Sequence, residues 1–394
     1  MGFIFITLLI DVIGFGLVIP VLPKLVTELS GPNADGVRMY GILLAVYGLM
    51  QFLFAPILGN LSDRYGRRPV LLLSLGATGL DYVLQAMAPS LAWLFIGRVI
   101  AGITGASFTA ATAYIADVSP PEKRAQNFGM VGAAFGLGFI LGPALGGLVG
   151  SMGPRVPFWI AAAVTGLNVL YGLFVLPESL EKENRRPFTL ASANPLSAFA
   201  ILGQHRWVLG LAAATLMLWI GQQVPPSTWV LYTIHRFRWQ EWQNGLSLAL
   251  IGVCSMVVQM VLIRILSARM SDLRMLAFSM VMNVIGFVLL GSSFTGGMML
   301  ASMVIWSLSF VGGPALQSLV SKQYGPDELG AVQGALTSLQ SVSAVIGPPV
   351  LTGVFGTFTT PPGPYVPGAA FYLGAVLTVV AAGLVWLAMR LRPA

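Results

Sequence analysis

Twelve apolar runs, each about the length of a bilayer-crossing helix, leave little choice of fold. They cover roughly residues 3–26, 39–60, 70–88, 91–114, 126–150, 157–176, 208–233, 244–266, 273–291, 295–319, 330–355 and 368–391. A helix needs about 20 apolar residues to cross the hydrocarbon core, whereas barrel strands would show as ~10-residue alternating segments. No such alternation occurs, so the expectation is an all-α integral membrane protein with twelve transmembrane helices. Only 9% of residues are charged, against roughly 25% in soluble domains. The first run carries Asp11, follows no basic stretch and lacks a small-residue cleavage site, so it is expected to stay in the mature chain.

Most of the remaining charges fall between the runs. With both termini in the cytoplasm, fifteen lysines and arginines lie inside, five (Lys24, Arg38, Arg155, Arg236, Arg238) lie outside, and Arg98 is within a run. Such an excess sets orientation, so cytoplasmic termini are expected. It also accounts for the net charge of +7 without nucleic acid, because the basic residues form no continuous surface. The single cysteine, Cys254, excludes an intrachain disulfide framework. With only two histidines, His205 and His235, both in or near loops, neither a metal site nor an enzyme's nucleophile constellation is expected. No GxxxxGK[ST] sequence occurs, so an ATP-driven pump is not expected, nor is any cofactor.

One long charged stretch, 177–206, opens with Pro177-Glu178-Ser179 and divides the runs into six and six. The halves, 1–176 and 207–394, share signals at one offset. Leu61, Ser62 and Arg64 recur as Leu266, Ser267 and Arg269; Gly129, Gly142 and Pro143 recur as Gly334, Gly347 and Pro348; Pro20 recurs as Pro225. Each pair differs by 205. A single ungapped offset argues for a duplicated six-helix unit, an architecture used by transporters with a substrate site near the bilayer midplane.

Between the second and third runs lies Gly59-Asn-Leu-Ser-Asp63-Arg64-Tyr-Gly66-Arg67-Arg68, too charged for hydrocarbon and therefore a tight surface turn. It resembles the cytoplasmic loop motif of the major facilitator superfamily at Gly59, Leu61, Asp63, Arg64, Gly66, Arg67 and Arg68. A second motif in the fifth run, Gly129, Gly138, Gly142, Pro143, Gly146 and Gly147, is similar to the signature of that superfamily's proton-coupled antiporters. Leu9-Ile-Asp11, Pro20-Val-Leu-Pro23, Leu80-Asp81-Tyr82 and Pro314-Ala-Leu-Gln317 resemble the tetracycline/proton antiporters.

The resemblance implies a proton-driven exporter of a small amphiphilic, drug-like compound in a bacterial inner membrane, expected to be a monomer. A symporter or facilitator with the same fold is the alternative. Asp63 is expected to bind the start of span eleven near Gly330 and Gly334, and Arg67 to pair with Asp117, closing the cytoplasmic side. The glycine series should let span five touch a neighbouring helix, sealing the outer side.

Asp11, Asp81 and Arg98 lie well inside spans, where ionisable groups are costly enough to be functional candidates. They are the expected proton-coupling residues, with a structural ion pair to Arg98 as the competing reading. The antiporters' span-eight histidine and span-nine aspartate are missing, since those regions read Ile251-Gly-Val-Cys-Ser255 and Ser279-Met-Val-Met-Asn283. Proton coupling is therefore assigned to the first half. The expected substrate-binding groups are Tyr47, Gln51, Gln222, Gln223, Trp229, Gln259, Trp306, Gln317 and Gln340, amides and aromatics that suit a flat, partly polar ligand.

Overall fold

A computed structural model describes residues 2–30, 34–188, 206–321, 326–361 and 363–390. Its helices are α1 Gly2–Val18, α2 Leu22–Ser30, α3 Ala34–Tyr65, α4 Arg67–Ala86, α5 Leu91–Gly105, α6 Phe108–Asp117, α7 Arg124–Gly150 and α8 Val156–Val175. The second half continues with α9 Arg206–Gln222, α10 Val224–Phe237, α11 Glu241–Val257, α12 Ile263–Ser267, α13 Asp272–Gly291, α14 Gly296–Ser307, α15 Gly312–Ser321, α16 Pro326–Thr357 and α17 Ala369–Arg390. A π-helical turn, Val258–Leu262, joins α11 to α12. No strand occurs among the described residues.

Ten helices or helix sequences are long and apolar enough to cross a bilayer among the described residues. The first of the twelve expected spans is a pair, α1 and α2, bent by 40°, and it makes an eleventh if counted as one crossing. The seventh, 208–233, is not a single rod either, because the chain breaks between α9 and α10. The prolines explain both breaks. Pro20 lies in the turn between α1 and α2, and Pro225 and Pro226 sit in the first turn of α10. Proline has no N–H to give to the preceding turn, but that loss costs nothing where a new helix starts.

The chain's packing divides it into two compact units, one of Met1–Met39, Val46–Pro195 and Gln240–Gly252, the other of Tyr40–Ala45, Leu196–Trp239 and Val253–Ala394. In the first, α1 packs along α7 and α8, and α4 along α8 and α5. In the second, α9 packs along α16 and α17, and α13 along α17 and α14. The two lists are the same list displaced by the sequence offset. Adding 205 to Arg67 and Ala86 gives Asp272 and Gly291, the ends of α13, and adding 205 to Leu91 gives Gly296, the start of α14. Leu73, Leu80 and Phe174 in the first unit, and Met260, Val379 and Trp386 in the second, point apolar side chains outward, as a surface solvated by lipid requires.

Candidate functional site

The three intramembrane charges fall on α1, α4 and α5 of the first unit. Asp81 is 1% exposed and Arg98 5%, yet they form no direct ion pair. Gln85, one turn after Asp81, stands between them. Its Nε2 donates to Asp81 Oδ2 at 2.5 Å, and its Oε1 accepts from Arg98 Nη2 at 2.6 Å. Asp81 Oδ1 and Arg98 Nε are left buried without partners. The helices approach this closely because Gly97 has no side chain: a Cβ there would lie 2.6 Å from Gln85 Cγ and 2.9 Å from Asp81 Oδ1.

Arg98 also lies 5.9 Å from the centre of the Tyr47 ring, which stacks on Phe15 of α1. Gln51, one turn beyond Tyr47, donates to the Gly105 carbonyl at 3.5 Å. Asp11 is half-buried in α1, within electrostatic reach of Tyr47 and Tyr82, and has no ion pair among the described residues. Asp11, Asp81, Arg98, Tyr47 and Gln51 therefore belong to one neighbourhood of the first unit.

At the α3–α4 turn, the Arg67 guanidinium is buried and binds three side chains. It donates to Asp63, to Ser62 Oγ at 2.6 Å and to Asp117 Oδ2 at 3.1 Å. Gly66 turns the chain at φ 106°, a conformation that penalises any side chain, and a Cβ there would lie 2.3 Å from Glu178 Oε2. That carboxylate accepts from the backbone N–H groups of Arg67 and Arg68, at 2.9 and 3.3 Å, and from Ser179 and Leu180. A negative charge thus sits on the positive end of α4. The linker's first residues are held to the turn by further bonds, from Arg186 N to Asp63 O, Ser179 Oγ to Asp117, and Tyr114 Oη to Pro177 O.

Around this turn, Arg64 lies over Tyr65, Arg68 donates to the Leu173 carbonyl, and Gly59 has only ordinary contact with Thr109. Gly330 and Gly334 both belong to α16 of the second unit, and the side chains around Gly330 fall outside the described residues. Glu178 was not among the residues expected from sequence. The Pro177-Glu178-Ser179 start of the linker was its only signal.

The glycines of α7 face two neighbours. Gly138 opposes Val12, a Cβ on Gly142 would lie 2.7 Å from the Gly16 Cα, and a Cβ on Gly146 would lie 2.1 Å from the Leu17 carbonyl oxygen. Gly147 instead meets Gly245 of α11, whose own Cβ would fall 2.3 Å from the Pro143 carbonyl. Backbone touches backbone on both seams, which no larger residue would permit. Gly129, by contrast, has open space around it.

The second unit holds a cavity of about 470 Å³. Its walls come from α9, α13, the 3₁₀ turn Leu308–Val311, α15 and α16, and none of its lining residues among those described is charged. Gln222, Gln317 and Gln340 line it, with Trp219, Phe310 and Asn283. The other expected binding residues of this unit stand elsewhere. Trp229 is 1% exposed, a core side chain, and Trp306 is buried behind Asn283. Gln223 packs on Gly347, and Gln259 sits exposed on the π-helical turn, bonded to Ser255.

Known proteins carry related sequences. The family model described as Major Facilitator Superfamily matches residues 4–348. The tetracycline resistance protein, class C, of Escherichia coli is 40% identical over 381 residues, covering 95% of this chain and 93% of that protein. The class H protein of Pasteurella multocida is 36% identical over 372 residues, covering 93% and 91%. Among solved structures, the human organic anion transporter MFSD10 (TETRAN) matches with a TM-score of 0.71 at 26% identity over 98% of both chains. The nucleoside transporter NupG matches in fold alone, with a TM-score of 0.78 at 14% identity over 99% of this chain and 98% of that one. Since the family model spans most of its length and bacterial relatives share more than a third of its residues, the chain belongs to the major facilitator superfamily.

Proposed function

We propose that this multi-pass membrane transporter exports a small amphiphilic, tetracycline-like compound from a bacterial cell in exchange for protons. The observation that carries the reading is Asp81, a carboxylate buried in a membrane span that reaches its cation only through an amide and keeps one oxygen unpartnered. A charge so placed is costly, so the group is suited to take up a proton from one side and release it to the other. Asp11 and Arg98 serve the same cycle. The likeness to tetracycline resistance proteins supports the substrate class, and the uncharged cavity of the second unit is where the transported compound binds.

The protein works in the inner membrane, both termini in the cytoplasm, as a monomer that binds no nucleic acid. The Arg67 cluster latches the cytoplasmic face and the glycine seams of α7 seal the outer one, so that access alternates. Each proton entering down 100 mV supplies about 2.3 kcal/mol from the electrical term. The test is tetracycline transport in vesicles under an imposed pH gradient, beside a drug-susceptibility panel in an efflux-deficient host. Extrusion against entering protons is expected; accumulation with them means symport. Unchanged coupling in both Asp11→Asn and Asp81→Asn would remove these residues from the cycle.

A further inference from the structure

Among the described residues that line the second-unit cavity none is charged, and what they offer a ligand is shape and neutral hydrogen bonding. The direction of those hydrogen bonds is set outside the cavity, by Trp306. An indole nitrogen can only donate. Trp306 Nε1 lies 2.9 Å from one end of the Asn283 side chain, which must therefore be its oxygen, Oδ1. The other end, Nδ2, donates to Thr378 Oγ1 at 2.8 Å, whose own proton goes to the Gly374 carbonyl at 2.8 Å. Both ends of the Asn283 amide are thus held, and Asn283, 2% exposed, cannot turn over without opposing donor to donor.

Gln222 meets the same Oδ1 at 3.4 Å. Facing an acceptor, it must offer its NH₂ group, which leaves its carbonyl oxygen as the end available to a ligand. Close by, Ser309 lines the cavity with a buried hydroxyl that has no protein partner.

We propose that the chain Trp306–Asn283–Gln222 makes this cavity selective for flat compounds that present a neutral hydrogen-bond donor, a hydroxyl or amide N–H, with Gln222 as the contact and Asn283 as its positioning residue. The proposal rests on the reading that the transported compound binds in this cavity, and it adds the rule by which compounds are sorted.

The test is equilibrium binding to the purified full-length protein in detergent, with no gradient, of tetracycline and of tetracycline methylated on its phenol hydroxyl, which removes a donor. Wild type is expected to prefer the parent compound roughly tenfold, the worth of about one neutral hydrogen bond. Trp306→Phe, which removes the fixed donor and frees Asn283 to turn, should shrink that preference to within about twofold, and so should Asn283→Leu. A double-mutant cycle separates positioning from packing: in a Gln222→Leu background, Trp306→Phe should no longer alter the preference. Thermal unfolding accompanies each variant. A preference that survives Trp306→Phe in folded protein overturns the proposal, as does a wild type that binds both compounds alike. Binding of neither overturns the assignment of the cavity and leaves the efflux reading to its own vesicle assay.

Discussion

The two units share one packing plan and hold opposite chemistry. In the first, Asp81, Arg98 and Asp11 bring ionisable groups into the membrane, and Arg67 gathers Asp63 and Asp117 at the turn. In the second, α9, α13, α15 and α16 line a cavity with amides, hydroxyls, aromatics and aliphatic side chains, and none of the described residues there is charged. The counterpart of the loop motif is altered too: 205 residues on, Asp63 is matched by the neutral Ala268 and Arg67 by the opposite charge of Asp272. Duplication supplied two equal frames. On the proposed division of labour, proton chemistry and ligand recognition make conflicting demands: one needs a charge that is hard to satisfy, the other neutral walls.

The comparison breaks most visibly if the first unit's seams are not needed. Gly146→Val should put a side chain into the Leu17 carbonyl, with a destabilisation of roughly 3 kcal/mol or more. Thermal unfolding should show little folded protein, while Gly129→Val, in open space, should behave as wild type. Next comes the division of labour itself. Asp81→Asn should cut proton-driven efflux by about a hundredfold, a typical contribution of a positioned proton-transfer group, yet leave tetracycline binding within about threefold, because the cavity belongs to the other unit. An equal loss of both would dissolve the comparison.

Arg67→Lys should have a smaller effect, since a lysine cannot span Ser62, Asp63 and Asp117 as the planar guanidinium does. Transport should fall about tenfold, with binding kept, as single buried charge-assisted contacts imply. Smallest is Glu178→Ala, which uncaps α4 at a solvent-exposed position. We expect at most about 1 kcal/mol, a drop of a few degrees in melting temperature, with little change in transport.

The apolar runs were legible because a bilayer allows a 20-residue apolar segment few other solutions. The breaks in the first and seventh were not, since hydropathy does not register the N–H groups that Pro20, Pro225 and Pro226 lack. Asp11, Asp81 and Arg98 stood out because charge in a span is expensive. Gln85 did not, although it joins two of them: an amide in a span is ordinary, and its role appears only once Gly97 lets α5 come close enough for Arg98 to reach it. Reading polarity along the chain picked out Gln222, Gln317 and Gln340. It also picked out Trp229 and Trp306, because composition alone does not say whether an aromatic side chain looks into a cavity or stands in the wall behind it.

The meshing of α1 with α7 carries a mechanical consequence. Val12 is seated at Gly138, Gly16 at Gly142 and Leu17 at Gly146, three teeth along one edge, with backbone in contact at the last two. Sliding α1 by one residue would carry Leu17 into the place of Gly16, where only a hydrogen fits against Gly142, and would lift Val12 off Gly138. A piston stroke of α1 is therefore blocked, and Asp11, one residue before the first tooth, can change its surroundings only if α1 and α7 travel together as a single rigid pair while the helices around them give way.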